Sequence, residues 1–580
     1  MVKIAKIYDP STIRCLKLTD GWMEIKFFQW EVEMIRSIII TILAATLWGE
    51  PFRYCVVVSE NTLNDPNWGP VVDTLIARYG GRIFTHTGDP RQVKDSLVDY
   101  QPSHVCFVYQ VSEITSYGCL SLVTTINQML RQLDSDPYGD ARWGILTGYD
   151  ANDAMRIATE KPKNYIYTAI LKDCGGLLKW VKQGIYFACH QYHLVKLKRA
   201  PCETVETYYD GPTDCTDTIC TLINNDTFDI IMPAGHGNHN AWQLHYPYAD
   251  SEGFIRSANG QVYGDPYSGS NININSTNAK VFYSPYNCYH GLIQGTGSFV
   301  PSWFHTGGAC QFYGNTKPVA YEYMGGASHF YLWPMQGRFT FAEIQFLTNQ
   351  QLLFCLFNNK PGTNPSGLNY DKDSWCLYGN PAQEFRIYQV TSPYYRKPWC
   401  TFDYSIRHGQ SRDTVTFKIT VQYDSTKPWR SYGEPVIDFL PFKAESIEII
   451  STNAHDAVVT DNFVLLNVWN IGDPYLREGE TREVVFAVNS IPEVAELPSE
   501  KPMPSITVYP NPFRNQVNFR IDAKHSGIKV KIFDANGRLI KVLPEGKFTW
   551  RGETENGREA PPGIYFYRVE RVTGKLIKVR

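Results

Sequence analysis

The sequence predicts an α/β protein with a mostly parallel sheet in two subdomains, followed by an immunoglobulin-like β-sandwich and a small C-terminal β-sandwich. Apolar runs of strand length alternate with helical patterns from Tyr54 onwards, which is typical of βαβ units. Beyond Pro398 the apolar period changes from that of helices to that of strands. The 580 residues also exceed what one core supports, and about 150 residues per domain predicts roughly four domains.

The first subdomain, residues 50–200, begins with the apolar run Tyr54–Val58, which predicts a buried strand. The next segment has helical spacing and ends at Gly80, and its apolar face holds Val72, Leu75, Ile76 and Tyr79. A strand over 105–109, a helix over 121–133 and a strand over 144–147 follow. This alternation predicts a mostly parallel sheet.

The second subdomain, residues 201–390, continues the same alternation. It has a helix over 217–225, a strand over 228–233, a polar Gly/Asn/Ser loop over about 250–278, a strand over 279–284, a strand over 307–313 and a helix over 341–357. The region therefore extends the α/β layer of the first subdomain.

Two β domains end the chain. Residues 391–491 alternate strictly around Val415–Tyr423 and predict a β-sandwich of immunoglobulin size. A Pro- and Glu-rich linker over 492–507 follows. In the last module, residues 508–580, Tyr565 and Tyr567 are predicted to face one side of a strand, with Ile564 and Phe566 on the other.

Composition restricts the classes of function. Apolar residues make up 43% and charged residues 19%, which excludes a mostly disordered chain, a coiled coil and a protein with several membrane spans. The net charge of −3 leads us to expect no nucleic-acid partner. Residues 501–580 carry 16 Lys and Arg against 7 Asp and Glu. This basic tail on an acidic body indicates a separate module.

The N-terminal region predicts export. Arg36 precedes the apolar run Ile38–Trp48, so residues 34–49 have the layout of a secretory signal peptide with cleavage near Gly49. The run is too short to cross a bilayer, and its alternative interpretation is a buried strand or helix. Residues 1–33 are interpreted as mistranslated upstream sequence. We therefore expect passage through the inner membrane and a secreted or cell-surface location.

The fourteen cysteines do not form the pattern of a small disulfide scaffold. No CxxC pair occurs, which argues against a four-cysteine zinc site. Cys215 and Cys220 are the closest pair, and a local disulfide between them is one expectation.

Two candidate catalytic residues follow neighbouring predicted strands. His236 follows the strand over 228–233, and Cys288 follows the strand over 279–284. A thiol beside a histidine can supply a nucleophile and a general acid–base. The flanking Gly235 and Gly237 leave the backbone bare, so the amides of Gly237 and Cys288 could form an oxyanion hole. The alternative is a core histidine and an inert buried thiol.

The blocks D-I-I-M-P-A-G-H-G-N and V-F-Y-S-P-Y-N-C-Y-H-G resemble the catalytic blocks of gingipain-type cysteine peptidases, which are relatives of caspases and legumains. The resemblance covers about residues 52–390. It implies a caspase-like fold, protein or peptide substrates, His236 as general base and Cys288 as nucleophile. The sequence departs from the family in two ways. It has barely any propeptide, and it reads T-G-Y-D-A-N-D where an arginine-containing stretch is expected.

The segments V-Y-P-N-P-F-R-N, W-R-G-E-T-E-N-G and P-P-G-I-Y-F-Y-R-V resemble the sorting domain of type IX secretion cargo. This resemblance implies the type IX secretion machinery as a partner and a cell-surface polysaccharide as an anchor. The alternative is a plain β adhesion or stalk module.

Two other functions stay open. His236, His239, His245 and His290 could bind zinc together with Cys288, which would make a zinc-dependent hydrolase. An α/β domain without activity would instead belong to a secreted adhesin. The peptidase hypothesis requires no cofactor, although the loop near 250–275 could bind a structural calcium ion. Asp173 and Asp229 are candidates for an orienting carboxylate, and the sequence does not decide between them.

Overall fold

The computed structural model describes residues 52–172, 175–199, 204–319, 335, 337–388, 399–424, 435–489, 505–522, 529–534, 539–543, 548–569 and 572–579. They fall into two compact units, one up to residue 491 and one from residue 492. The segment 1–33, the predicted signal peptide and most of the predicted linker lie outside the described residues.

Thirty-three strands are described. In the first unit they are β1 (Tyr54–Ser59), β2 (Arg82–His86), β3 (His104–Val108), β4 (Arg142–Leu146), β5 (Lys163–Ile166), β6 (Thr168–Lys172), β7 (Gln183–Phe187), β8 (Val195–Lys198), β9 (Val205–Tyr208), β10 (Ile230–Met232), β11 (Gly237–Asn238), β12 (Ala241–Gln243), β13 (Phe254–Ala258), β14 (Gln261–Asp265), β15 (Ile272–Ile274), β16 (Val281–Tyr283), β17 (Gln311–Asn315), β18 (Trp375–Tyr378), β19 (Glu384–Ile387), β20 (Cys400–Arg407), β21 (Arg412–Val421), β22 (Val436–Phe439), β23 (Glu448–Thr452), β24 (Asp456–Val459), β25 (Phe463–Asn467) and β26 (Thr481–Asn489). In the second unit they are β27 (Ser505–Tyr509), β28 (Val517–Asp522), β29 (Val530–Phe533), β30 (Leu539–Leu543), β31 (Thr549–Trp550), β32 (Gly563–Val569) and β33 (Val572–Lys578).

The described α-helices all lie in the first unit. They are α1 (Glu60–Asn64), α2 (Gly69–Tyr79), α3 (Lys94–Tyr100), α4 (Val111–Tyr117), α5 (Cys119–Met129), α6 (Ala151–Thr159), α7 (Thr216–Asn224), α8 (Phe299–His305), α9 (Phe341–Phe357) and α10 (Pro365–Asp371). Two 3-10 helices span Pro90–Val93 and Gly175–Trp180. The start of α9 is fixed by reciprocal capping, because Thr340 accepts from the Glu343 amide at 3.2 Å and Glu343 accepts from the Thr340 amide at 2.7 Å. The bounds of α9 are those predicted from the sequence.

A twelve-stranded sheet organises the first unit, counted over the residues described. Its order is β2-β1-β3-β4-β18-β17-β16-β10-β6-β7-β8-β9. The five strands from β2 to β18 are parallel to one another, and so are the five strands from β17 to β7. The pair β17–β18 is antiparallel, so the two sets run in opposite directions. The sheet is therefore mostly parallel, with one reversal at its centre.

The reversal divides the sheet differently from the boundary expected at residue 200. The strands β6, β7 and β8 precede that boundary but belong to the second parallel set or extend it. Conversely, β18 returns from the end of the region to join the first set. The order of the strands along the chain thus differs from their order in the sheet.

The predicted polar loop over 250–278 is largely a small sheet, which corrects that expectation. The order β11-β12-β13-β14-β15 is antiparallel throughout. Its buried positions include Trp242, Ile255, Val262 and Ile274, all fully shielded from solvent. Gly, Asn and Ser lie between these apolar residues, so the composition of the segment resembles that of a loop and the strands were not predicted. The sheet begins directly after His236.

Two apolar cores flank the main sheet. The first includes Val57, Phe107 and Leu75 from the β1–β4 side, and it extends to Phe282 and Trp303. The second includes Tyr283 and Leu353, and it continues into the next domain. Interior strands such as β1 and β4 are buried on both faces, which is why their short apolar runs are continuous rather than alternating.

The domain after residue 398 consists of two antiparallel sheets, β20-β21-β26-β23 and β22-β25-β24. Phe417 from the first and Leu465 from the second are both fully buried in the second core. Arg338, which precedes α9, pairs with the buried Asp438 of β22. Shared apolar burial and this ion pair join the β domain to the α/β region within one compact unit.

The second unit has two antiparallel sheets of its own, β27-β28-β31 and β30-β29-β32-β33. A separate core contains Phe513, Val517, Trp550 and Leu576. Tyr565 and Tyr567 are 5% and 8% exposed, whereas Ile564 and Phe566 are each 43% exposed. This alternation is the one predicted from the sequence.

Eleven cysteines lie in the part of the chain that the structure describes, and all are free thiols. The expected Cys215–Cys220 disulfide is therefore wrong. The Cys215 sulfur instead lies 3.2 Å from the Lys172 ammonium and 2.5 Å from a Glu252 carboxylate oxygen. Cys220 is buried on the next turn of α7.

Candidate functional site

The two candidate catalytic residues follow adjacent parallel strands. Strand β10 pairs with β16 through Ile230 opposite Val281 and Ile231 opposite Phe282. His236 comes a few residues after β10 ends, and Cys288 comes a few residues after β16 ends. Both loops therefore leave the same edge of the sheet, where active sites of α/β proteins are usually built.

The loop that carries His236 is a tight turn into the hairpin β11–β12. Gly235 has a φ of +118°, and a Cβ there would lie 2.7 Å from the Gln243 carbonyl oxygen. The Gln243 amide donates to the His236 carbonyl oxygen at 2.9 Å. The imidazole itself is exposed, and its ring centre lies 5.0 Å from that of Tyr246. The backbone is fixed while the histidine ring remains accessible.

The loop that carries Cys288 is held over β17. Tyr289, the next residue, has a left-handed φ of +60°, which is uncommon for a residue with a bulky side chain. Its amide donates to the Lys317 carbonyl oxygen at 3.2 Å, and the Gly291 amide donates to the Asn315 carbonyl oxygen at 2.9 Å. Local backbone strain of this kind is often found at functional sites.

Cys288 differs from every other described cysteine in its exposure. The other ten thiols in the described residues are buried, and Cys288 alone is partly exposed. Tyr370 lies close enough that a negative charge on Cys288 would raise the tyrosine pKa, in addition to the larger effect of burial. The Lys317 ammonium lies 3.9 Å from the centre of the Tyr370 ring. Tyr370 was not identified from the sequence as a neighbour of Cys288, because it comes from a distant segment.

The two loops are joined by the residues beside the candidates. The Asn287 side-chain amide donates to the Gly235 carbonyl oxygen at 2.9 Å. A Cβ on Gly237 would lie 2.3 Å from Nε2 of His290, so only glycine permits this approach. Gly235 and Gly237 flank His236, while Asn287 and His290 lie on either side of Cys288. The histidine loop and the cysteine loop therefore pack directly against each other.

His290 is a buried structural residue in this arrangement. It is fully shielded, its Nδ1 lies 2.8 Å from the Ser284 hydroxyl and its Nε2 lies 3.2 Å from the Ala241 carbonyl oxygen. Because a carbonyl can only accept, Nε2 carries the hydrogen and Nδ1 accepts from Ser284. Burial lowers the pKa of His290 to about 3. The ring is neutral and joins the β12 backbone to the end of β16.

The expected zinc cluster does not converge. Both nitrogens of His290 are engaged, and the ring of His245 is stacked on Tyr192 with centres 4.2 Å apart. Over the described ranges, the only three His, Cys, Asp or Glu side chains whose ligand atoms lie within 4.8 Å of one another are Asp134, Asp140 and Asp461. His236, His239, His245, His290 and Cys288 therefore do not form a metal-binding group.

A buried polar cluster supports the segment after His236. Lys172, the last residue of β6, pairs with Glu252 at 2.7 Å, and both side chains are almost fully buried. Burial alone would lower the pKa of Lys172, but Cys215 and Glu252 beside it raise that pKa above its usual value. Glu252 also lies 3.5 Å from Nδ1 of His245. Sequence reasoning missed this cluster; its one signal was a lysine ending an apolar strand.

Asp229, one of the two acidic candidates named from the sequence, lies elsewhere. Asp229 precedes β10, and its carboxylate accepts from the Tyr167 amide at 2.9 Å and the Thr168 amide at 3.2 Å. It thus lies at the opposite end of β10 from His236. Asp173 is outside the described residues. In the segment proposed for calcium, Asp265 pairs with Arg256 at 2.6 Å and Glu252 pairs with Lys172.

Residues 507–579 match a family described as the secretion system C-terminal sorting domain. The protein therefore carries a type IX sorting domain and is secreted or exposed on the cell surface. No curated protein sequence matches the chain. Over the residues described, no helix is long and apolar enough to cross a membrane.

Two solved structures resemble the chain weakly. A protease structure aligns with a TM-score of 0.36 at 9% identity, covering 92% of this chain and 98% of that chain. PorZ, an essential surface component of the type-IX secretion system of Porphyromonas gingivalis, aligns with a TM-score of 0.11 at 14% identity, covering 38% of this chain and 27% of that chain. Neither score is high enough to support a functional inference.

The neutral His290 predicts a specific loss of stability in acid. In the unfolded chain a histidine takes up a proton as the pH falls below about 6.5, whereas folded His290 does so only near 3. The unfolded state then binds more protons, so stability is lost as the pH falls through this window. Between pH 6.5 and 5 the difference amounts to about 2 kcal/mol, since one pKa unit is worth about 1.4 kcal/mol.

Urea unfolding of the parent protein and of His290→Asn, each at pH 7 and pH 5, measures this contribution. We expect the variant to be less stable at pH 7 but to lose less stability on acidification. Equal losses in the two proteins would contradict the assignment of His290 as a buried neutral ring.

Proposed function

We propose that the protein is a secreted cysteine endopeptidase that uses Cys288 as nucleophile and His236 as general acid–base. The contact between the two loops carries this proposal: Asn287 bonds to the Gly235 carbonyl, and Gly237 packs against His290. These contacts join the ends of two neighbouring strands. One end carries the exposed imidazole of His236, and the other carries Cys288, which is the one partly exposed thiol among the described residues. The resemblance of the His and Cys blocks to gingipain-type peptidases agrees with this placement.

The reaction follows from the chemistry of the pair. His236 removes the proton from the Cys288 thiol, and the thiolate attacks the peptide carbonyl carbon to form a carbon–sulfur bond. The carbon–nitrogen bond then breaks as the imidazolium donates its proton to the leaving amine. Water, deprotonated by His236, attacks the acyl-enzyme and releases the carboxylic acid and the free thiol.

The carbonyl oxygen becomes negatively charged in this reaction and needs hydrogen-bond donors. We assign this role to the backbone amides of Gly237 and Cys288. In the described part of the chain, the Cys288 amide has no acceptor within hydrogen-bond distance. A free amide beside the nucleophile is what an oxyanion hole requires.

His236 has no carboxylate beside its ring among the described residues; its neighbour is Tyr246. We infer that Tyr246 orients the imidazole by ring contact. Tyr246 is held in turn by its amide, which donates to the Cys189 carbonyl oxygen at 2.9 Å. The enzyme therefore acts as a dyad, and no metal takes part in the proposed steps.

The nucleophile is tested by Cys288→Ala, with Cys220→Ala as the matched control because it removes a buried thiol outside the site. We expect the first variant to lose hydrolysis of a fluorogenic peptide library completely and the second to retain it. Iodoacetamide should modify Cys288 before any buried thiol, with inactivation proportional to labelling by mass spectrometry. Undiminished hydrolysis by Cys288→Ala would refute the proposal, and inactivity of the parent protein on all peptides would favour an adhesin.

The general base is tested by His236→Ala, with the neighbouring His239→Ala as its control. Loss of acid–base assistance should lower kcat/KM by about 10²–10⁴ in the first variant. The control should stay within about threefold of the parent protein, and a chelator should have no effect. Equal losses in both variants, together with chelator sensitivity, would favour a metal-dependent hydrolase instead.

We expect the sorting domain to be removed by proteolysis after export. It has its own core and forms a compact unit from residue 492 onwards, so its removal exposes no core of the enzyme. Deletion of 508–580 should retain the enzyme inside the producing cell while purified activity stays within about twofold. Mass spectrometry of the exported protein should find the chain shortened within or near 492–507. An exported enzyme that ends at Arg580 would contradict this processing.

A further inference from the structure

A pocket of about 490 Å³ lies at the first parallel set of the sheet, away from the candidate site. Ser59 ends β1, His86 ends β2 and Tyr109 follows β3, so the pocket lies at the carboxyl ends of three parallel strands. The chain passes from β1 to β2 on one side and then to β3 on the other side of β1. Such a switch point leaves a crevice that binds ligands in many α/β proteins.

This pocket is separate from the site of His236 and Cys288. The strands β1, β2 and β3 run opposite to β10 and β16, because the sheet reverses at β17–β18. The carboxyl ends of the two sets therefore lie at opposite edges of the sheet. A ligand in this pocket would not compete with a peptide at Cys288.

The pocket is negatively charged. Its lining contains two carboxylates and neither lysine nor arginine, and consists of Ser59, Glu60, Asn61, His86, Thr87, Gly88, Tyr109, Ser112, Glu113, Ser116, Tyr117 and Leu122. Burial lowers the pKa of His86, so its imidazole adds no positive charge at neutral pH. The nearby Arg91 is bound to Asp89 and does not line the pocket. The charge of the lining is thus uncompensated.

Glu113 is the carboxylate of this pocket whose position is fixed by hydrogen bonds. Its carboxylate accepts from the Ser59 hydroxyl, from the Thr62 hydroxyl at 2.6 Å and from the Gln110 amide at 3.0 Å. Three donors orient the group. Within the described residues no lysine, arginine or histidine forms an ion pair with it. A half-buried, oriented carboxylate without a cation is suited to bind a positive group.

A donor lies in the same pocket. The Gly88 amide donates to Nδ1 of His86 at 3.1 Å, so the neutral imidazole carries its hydrogen on Nε2. Nε2 then donates to the Tyr109 oxygen at 2.8 Å. Within the described residues the Tyr109 hydroxyl makes no other hydrogen bond. Because it only accepts in this bond, the hydrogen of the Tyr109 hydroxyl is available to a ligand. The phenol is buried, which makes an unmet donor costly.

We propose that this pocket binds a small organic cation, with a primary ammonium or guanidinium on Glu113 and an acceptor oxygen facing Tyr109. The volume suits such a molecule, since ligand pockets commonly measure about 300–1,000 Å³. A bare metal ion fits less well, because in the described ranges Glu113 belongs to no group of three converging metal ligands. The proposal does not depend on peptidase activity.

Isothermal titration calorimetry on the full chain tests the proposal, in a Cys288→Ala background that prevents turnover. The probes are Nα-acetyl-L-arginine and Nα-acetyl-L-lysine, with Nα-acetyl-L-citrulline as a neutral molecule of nearly the same shape as the arginine probe. We expect at least one cationic probe to bind and the citrulline probe to bind about tenfold more weakly or not at all. Absence of binding by both cations, or equal binding of citrulline, would overturn the proposal.

Two variants locate the binding. Glu113→Gln removes the charge but keeps a side chain that can complete the capping box with Gln110, and should weaken binding about tenfold or more. Ser116→Lys places an ammonium of the chain itself at the exposed rim and should also abolish binding. Asp99→Asn, an equal charge change on the exposed side of α3, is the control and should bind like the parent protein.

Binding that survives both pocket variants, or that a peptide substrate displaces, would place the cation in the cleft of Cys288 and overturn the proposal. In the otherwise unmutated enzyme, Glu113→Gln should leave peptide hydrolysis unchanged. Failure of the peptidase proposal would show in Cys288→Ala activity, and failure of this proposal would show only in the titrations. The two outcomes are therefore distinguishable.

Discussion

The antiparallel pairing of β17 with β18 determines the layout of the first unit. It joins two oppositely directed parallel sets into one sheet, with Phe312 opposite Tyr378 and Asn315 opposite Trp375. Parallel strands collect their loops at their carboxyl ends. One reversal therefore creates two separate loop-bearing edges, one with His236 and Cys288 and the other with the acidic pocket at Glu113. If β17 and β18 were parallel, both sets of loops would leave the sheet at the same edge.

Both edges contain buried polar groups that hold loops in one conformation. At the edge with His236 and Cys288, neutral His290 joins the backbone at Ala241 to Ser284, and Lys172 with Glu252 anchors the segment that follows β12. An unpaired partner in either group would carry a large desolvation cost, so each group specifies one arrangement. The side chains of His236 and Cys288 stay accessible or partly accessible. Buried, paired polar groups thus support both loops, which agrees with the roles proposed for these two residues.

The sequence predicted the elements with strong periodicity and the strand ends that carry His236 and Cys288. The helix-like segment predicted near 341–357 is helix α9, and the structure shows that a capping box of Thr340 and Glu343 fixes its start. The strands β13, β14 and β15 were missed because they are short and are separated by turns rich in Gly, Asn and Ser, and tertiary packing decides their conformation. The place of β18 was also unpredictable, since pairing across more than two hundred residues has no local signal. The Cys215 environment depends on Lys172 and Glu252, which spacing alone cannot bring together.

The distribution of thiols is consistent with export into surroundings where cysteines oxidise. A protein of this size buries large apolar cores, so it needs no disulfide framework of the kind that small secreted domains use. Ten of the eleven described thiols are buried, and burial raises the pKa of several, including that of Cys106 to about 12. A protonated, inaccessible thiol neither exchanges nor oxidises readily. Among the described thiols Cys288 is thus the one that is partly accessible, which agrees with the role proposed for it.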